Sequence, residues 1–579
     1  MDSELVPTGV GVVRMLKQLG IRRVFGVPDG HTLPLYEGFR VIEGVDHVLV
    51  NDERSAGFAA DAYARVTGTV GACDAGAAGS MNFPVALAEA LGAASPVLAL
   101  VGVVKRDDVL RNVPHDVRVA ETLAPVTKLT KQALVASHVP RFLSHAVKVA
   151  TRGKPGPVAL VVPEDILSAV ELPPSEFEPP GVATCAVNEC RFRAAQSEVD
   201  RAVELIRRAR LPAIFAGGGA VQSGAFAEVK RLSQMLRAPV FTTIRGKGIA
   251  LTRDVDPSPE NLHFGTVGLF GEAPNNHFIR RKVDLVLAVG NRLTEDDTAT
   301  FKFPSPSQAM VQVDVDPAEV GVFYKPWGVV GDPKATLQQF IEALEAGGIW
   351  EGGGDVEEVL AQRERALAVL RVRHEKYRSK DEKRWKRAEP LRPPRVLEAV
   401  AAQLGPDDYL VTDASSSSRW VGAYFPVKGL GRHLVTPRGV GPTGFGVGAL
   451  LGTCMAVRDL GLNSKVVLLT GDGGLMNGGL PELETVVRLG LNCTVVVLNN
   501  AALGFVKFGQ AAMYQRNFHE TDRPDTDFAK LARAMGGKGT RVDSLKELDG
   551  VIAEATRGTG LHLVDVVVDG NALLPPSFY

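Results

Sequence analysis

The 579-residue chain has almost no excess of charge: 65 Lys and Arg against 66 Asp and Glu give a formal net charge of −1. Without a cationic field, recruitment by nucleic acid or by an anionic membrane surface is not expected. Cysteine is sparse and irregular. The five (Cys73, Cys185, Cys190, Cys454 and Cys493) are odd in number, scattered, and contain no CxxC pair. That argues against a disulfide framework or a zinc site and for small buried thiols in a reducing compartment. Long apolar runs are missing as well. The longest, residues 87–104, is interrupted by Glu89 and Pro96, so no membrane span is expected. The first twenty residues carry Asp2 and Glu4 and then an amphipathic pattern, not a basic region followed by an apolar run. A cytoplasmic protein is the expectation.

What is present is ordinary globular composition, 45% hydrophobic and 23% charged residues, in a chain too long for one core. Short β-branched runs alternate with helical patterns throughout, the mark of parallel α/β sheets. Strands are expected at residues 23–27, 47–51, 70–74, 96–103 and 157–162, with helices at 9–19, 55–67 and 83–93 between them. A proline-rich stretch at 172–180 reads as a linker. The alternation resumes with strands at 213–216, 239–243, 283–289 and 310–315. It stops again where a glycine-rich piece passes into the charged run 371–387, which reads as a second linker with a solvated helix. Strands at 409–412, 465–470, 494–498 and 562–568 complete the pattern. Three doubly wound parallel-sheet domains of similar size are expected, at 1–175, 190–348 and 390–579.

The chemistry gathers in the last third. A buried strand runs into Gly471-Asp472-Gly473-Gly474, and twenty-seven positions after Asp472 a second buried strand ends at Asn499-Asn500. In a parallel sheet both strand ends lie at the same carboxyl edge, where ligands bind. A carboxylate and a carboxamide there supply hard oxygens for Mg²⁺, and the glycines let backbone N–H groups approach a phosphate. A lone GDG is as well explained by a plain turn. The pair, each half following a strand, reads as a metal–diphosphate site.

With these residues the chain resembles the thiamine-diphosphate enzyme superfamily, and in particular its acetolactate synthase-like branch. The run GDGGLMNGGLPELETVVRLGLN (471–492) is similar to that branch, with one apparent extra residue around 478–481. FGVPDGHTLPLYEGF (25–39) resembles the family's first strand and turn, and NDERSAGFAADAYARVTG (51–68) its glutamate helix. PVTK (125–128), GKG (246–248), DVDPAEVG (314–321) and GVGPTGFG (439–446) extend the likeness over nearly the whole chain. The resemblance implies pyrimidine-binding, central and diphosphate-binding domains in that order. It implies thiamine diphosphate and Mg²⁺ as cofactors, with Asp472, Asn499 and the backbone carbonyl of Ala501 as metal ligands. Ser416, Ser417, Gly473 and Gly474 would contact the diphosphate, and the Gly441 carbonyl the aminopyrimidine. Thr443 stands where relatives carry a bulky apolar residue beneath the thiazolium. Because the family's cofactor bridges two subunits, a homodimer or homotetramer with its site at the interface is implied.

Glu53 occupies the position of the family's carboxylate, which drives the cofactor tautomer that takes the thiazolium proton. A glutamate at a helix N-terminus is also common for its own sake. His31 follows the first strand, as in benzaldehyde lyase-like and cyclohexane-dione hydrolase-like members, and His115 lies where the family has a glutamine. Either imidazole could relay a proton to a substrate oxygen, or simply cap its loop. Three departures from acetolactate synthases stand out: Gly509 for a tryptophan, Asp296 for an arginine, and Glu164 for a lysine. Two carboxylates for two cations would repel a second anionic oxoacid by about 1–3 kcal/mol in a partly buried pocket. The equal alternative is that they lie outside the pocket. FAD is left open, because Gly217–Gly219, Gly246–Gly248 and Asp314–Asp316 occur in members with and without it.

The expected activity is carboligation or decarboxylation of a 2-oxoacid or acyloin, outside housekeeping acetolactate synthesis. An acyloin lyase or cyclic 1,2-dione hydrolase is the alternative that His31 favours. A silent scaffold subunit is disfavoured by Glu53, Asp472 and Asn499 all being present.

Overall fold

A computed structural model describes residues 5–179, 185–187 and 191–572. Cys190 and the ends of the expected linker and last domain lie outside the described residues. Three six-stranded sheets, parallel throughout, follow one another along the chain. The first has the spatial order Asp46–Leu49, Arg23–Gly26, Gly71–Gly76, Val97–Val103, Val158–Pro163, Leu129–Gln132. The third has the order Leu434–Val435, Tyr409–Thr412, Val466–Gly471, Cys493–Asn499, Leu561–Val567, Lys538–Val542. Counted within each sheet, both read 2-1-3-4-6-5. The middle sheet reads 3-2-1-4-5-6, from His263–Thr266 at one edge to Trp327–Val330 at the other. That is the doubly wound order whose crevice lies where the winding reverses.

Central strands such as Val97–Val103 and Cys493–Asn499 are buried along their whole length, which the helices on both faces require. Two of the edge strands are polar: Leu129–Gln132 (LTKQ) and Lys538–Val542 (KGTRV) show no apolar run, and both escaped the sequence reading. The helix Glu53–Thr67 of the first domain packs on Phe445–Asp459 of the third. Gly448 and Gly452 allow the close approach; a Cβ on Gly452 would lie 2.0 Å from the Ala59 carbonyl oxygen. Among the described residues no helix is long and apolar enough to cross a membrane.

The charged run is not a solvated linker helix. The helix Val356–Trp385 buries Arg363, Leu367, Leu370 and His374. Arg363 donates to the carbonyls of Ala209, Arg210 and Leu236, and Arg378 pairs with Glu272, clamping the helix to the central domain. Asp381 accepts from the Tyr424 hydroxyl of the third domain at 2.6 Å. The apolar stripe is thin and sits among charges, so composition alone concealed it. Cys73, Cys185, Cys454 and Cys493 are buried free thiols, as read.

Candidate functional site

In the third domain the winding reverses between the strands Tyr409–Thr412 and Val466–Gly471, and a cavity of about 490 Å³ opens at their carboxyl ends. Ser415, Ser416 and Ser417 reach it from the first strand, Asp472, Gly473 and Gly474 from the next, and Asn500 and Ala502 from the third. Asp472 is 4% exposed. Burial pushes its carboxyl up to about 6, against the Gly473 N–H, the Arg523 charge and the Ala502 N–H. Asn499 is oriented to supply a second oxygen: its Nδ2 donates to the Thr526 carbonyl at 2.9 Å and to Asp565 Oδ1 at 3.0 Å. Its Oδ1 accepts only a 3.3 Å contact from the Ala501 N–H. Ala501 has a left-handed backbone (φ 48°), and one lone pair of its carbonyl is taken by the Arg523 N–H at 2.8 Å.

The loop after residue 436 closes one wall. Gly439, Val440 and Gly441 turn successive N–H groups onto the carboxylate of Glu89, a wholly buried first-domain residue that Arg65 also contacts. Asp413 holds the far end through the N–H groups of Gly444 and Gly446. Gly441 lines a second cavity, between the central and third domains, and not the cavity at Asp472. Thr443 lines the cavity, and its own carbonyl accepts from Asn477 Nδ2 at 3.0 Å. Asn477 and Gly478 leave helical φ/ψ (Gly478 φ 92°), so the chain kinks within Leu475–Gly479, beside the point where one extra residue was expected. Glu89 carries no motif, and Asn477, though inside the run 471–492, was given no role in the sequence reading.

Glu53, His31 and His115 do not line this cavity. They gather at the carboxyl edge of the first sheet instead. Glu53 opens its helix, lies against Gly79, and accepts from Asn82 Nδ2 at 3.0 Å. His31 and His115 face each other with ring centroids 5.4 Å apart. Asp29 Oδ1 accepts from the His31 N–H at 2.9 Å and meets His31 Nδ1 at 2.7 Å, which leaves Nε2 as the free ring atom. Burial raises the Asp29 carboxyl, but the backbone and ring hydrogen bonds of His31 and the charges of both imidazoles bring it below the usual range.

Comparison with known proteins decides the family. Residues 8–122 match the N-terminal TPP binding domain of thiamine pyrophosphate enzymes, 199–340 their central domain, and 413–566 their C-terminal TPP binding domain. The chain belongs to the thiamine-diphosphate-dependent enzymes. Within them it stands in the acetolactate synthase-like branch. It is 28% identical to a probable acetolactate synthase large subunit of Methanocaldococcus jannaschii, over 97% of this chain and 92% of that one. It is 28% identical to acetolactate synthase isozyme 3 large subunit of Escherichia coli, over 98% and 95%. It is 29% identical to an acetolactate synthase of Arthrospira platensis, over 96% and 93%.

The departures read from the sequence lose their force in this thiamine-diphosphate enzyme. Asp296 lines a second cavity, but it is ion-paired with Arg438 and presents no free negative charge. Glu164 sits on the helix Glu164–Ala169 beside Lys105 at 3.7 Å and lines neither cavity. Gly509 likewise lines neither; a Cβ there would point toward Met513. The Arg438 partner offsets the charge of Asp296, which reduces the repulsion expected from that carboxylate.

Proposed function

We propose that Asp472, Asn499 and the Ala501 carbonyl hold Mg²⁺, and that Ser416, Ser417, Gly473 and Gly474 receive the diphosphate of the cofactor. The observation that carries this is the buried Asp472 at one strand end, with Asn499 at the end of the neighbouring strand, its amide nitrogen held by the Thr526 carbonyl and Asp565. The N-terminus of the helix Ser416–Tyr424 adds donors for an anion. When bound, thiamine diphosphate supplies a carbanion and electron sink next to a carbonyl. With the cofactor bound, Glu53 would act on the aminopyrimidine, the Gly441 carbonyl would receive its amino group, and Thr443 would support the thiazolium. Glu53 lines neither cavity of its own chain, which supports a homo-oligomer whose partner subunit completes the site.

The reaction is C–C bond formation or cleavage on a 2-oxoacid or acyloin in the cytoplasm. A second reading, acyloin lysis or cyclic 1,2-dione hydrolysis, is supported by the Asp29–His31–His115 cluster, where the oriented imidazole can move a proton at a substrate oxygen. FAD is not part of the proposal. Thiamine diphosphate with Mg²⁺ should raise the melting temperature, and Asp472→Ala should abolish the rise; an unchanged rise removes the metal assignment. Product analysis with pyruvate and with benzoin then separates the two readings, and acetolactate from pyruvate would place the enzyme with its named relatives.

A further inference from the structure

Asp29, His31 and His115 meet at the carboxyl edge of the first sheet, outside the Asp472 cavity. One carboxylate oxygen and one ring nitrogen from each histidine lie within 4.8 Å of one another. Among the described residues no other three His, Cys, Asp or Glu side chains converge in this way.

Two of the three are preset by the fold. Asp29 caps the short turn Gly30–Thr32, accepting from the His31 N–H at 2.9 Å, while its own N–H donates to Thr32 Oγ1 at 3.3 Å. Glycines on neighbouring strands let this turn settle on the sheet edge. A Cβ on Gly76 would lie 2.0 Å from Asp29 Cγ, and one on Gly102 would lie 2.4 Å from the His31 carbonyl oxygen. Both contacts of Asp29 with His31 fall on Oδ1, which leaves Oδ2 for a cation. Among the described residues no Lys or Arg is ion-paired with Asp29; its partner is the His31 ring. His115 comes from an exposed loop after the strand Val97–Val103 and has a left-handed backbone (φ 69°).

Metal–ligand bonds of about 2.0–2.2 Å place tetrahedral ligand atoms roughly 3.3–3.5 Å apart. The cluster is somewhat wider, and rotation of the exposed His115 side chain closes the difference. Two imidazoles and one carboxylate suit a borderline transition metal, whereas Mg²⁺ takes oxygen ligands.

We propose that Asp29, His31 and His115 form a binding site for a divalent transition metal such as Zn²⁺ or Co²⁺, separate from the Mg²⁺ site at Asp472. A metal held here takes the lone pairs with which the imidazoles would move a proton. Occupancy and the proton relay of the second reading therefore exclude one another.

The test is Co²⁺ titration of the full chain in saturating thiamine diphosphate and Mg²⁺, read by equilibrium dialysis and by visible absorption. Co²⁺ can also replace Mg²⁺, so Asp472→Ala serves as the reference protein. It should bind one Co²⁺ per chain at micromolar concentration, with the absorption of a nitrogen-ligated ion. Adding His115→Ala or His31→Gln to it should weaken binding by about tenfold or more, since each removes one of three ligands. Adding His145→Ala, an exposed histidine of the same domain outside the cluster, should leave binding unchanged. No Co²⁺ on the reference protein, or binding within about twofold of it in both cluster variants, overturns the proposal. If Asp472→Ala does not fold, the comparison is made on the wild type. There His115→Ala should remove one of two bound Co²⁺ ions, and retention of both overturns the proposal.

Discussion

Glu89→Gln is the most informative single change, because one carboxylate holds the loop 439–441, which lines the cavity between the central and third domains. Glu89 is fully buried, and its oxygens take the N–H groups of Gly439, Val440 and Gly441 together with one Arg65 nitrogen. An amide retains one acceptor oxygen. If that oxygen faces the loop, the new NH₂ opposes the Arg65 guanidinium; if it faces Arg65, the NH₂ opposes two or three N–H donors. Either way a buried pair is broken and donors are left unpaired, at about 3–5 kcal/mol. The loss is local, so amide hydrogen exchange is the assay. Residues 439–441 should exchange faster by roughly two to three and a half orders of magnitude, at about 1.4 kcal/mol per decade. Exchange there within about threefold of wild type would refute the reasoning, since no rearrangement of a glutamine restores all four contacts.

Asp413 gives a pH-dependent test. Burial, opposed by the N–H groups of Ala414, Gly444 and Gly446 and the Thr470 hydroxyl, raises its carboxyl from 3.8 to about 6. Between those values the folded protein keeps a proton that the unfolded chain has released, so this group's contribution falls as pH rises through about 4 to 6. Urea unfolding of wild type minus Asp413→Asn should lose about 3 kcal/mol across that window; a flat difference contradicts the assignment. Arg363→Ala strands the carbonyls of Ala209, Arg210 and Leu236 and should cost about 2–4 kcal/mol, read as a lower melting temperature and earlier proteolysis within 356–385. Gly452→Val places a Cβ 2.0 Å from the Ala59 oxygen and should cost about 1–3 kcal/mol or more, whereas Gly490, an open glycine with nothing within 4 Å, should accept Ala at only its backbone strain.

The α/β class and the GDG–NN pair were legible because both are local. A buried parallel strand is a run of β-branched residues, and Asp472 and Asn499 each follow such a run directly. Two edge strands were not legible, because LTKQ and KGTRV are half solvated and need no apolar pattern. The helix Val356–Trp385 was misread because its burial depends on what lies opposite Leu367 and Leu370, which no window of charged sequence reveals. The argument from Asp296 weakened for a related reason. A charge counts by its partner, and Arg438 lies 142 positions from Asp296.

By itself, then, the amino-acid order determined the three parallel α/β domains and the cofactor family, since strand, turn and motif are contiguous. Only the tertiary structure decided that Glu89 anchors the loop at 439–441 and that Asn477 supports the Thr443 carbonyl from a kink between two helices. It also decided that Glu53 lies apart from the Asp472 cavity of its own chain. Each of these joins residues far apart in sequence. Their energies come from burial and from pairing across domains, quantities that exist only once the chain has closed on itself.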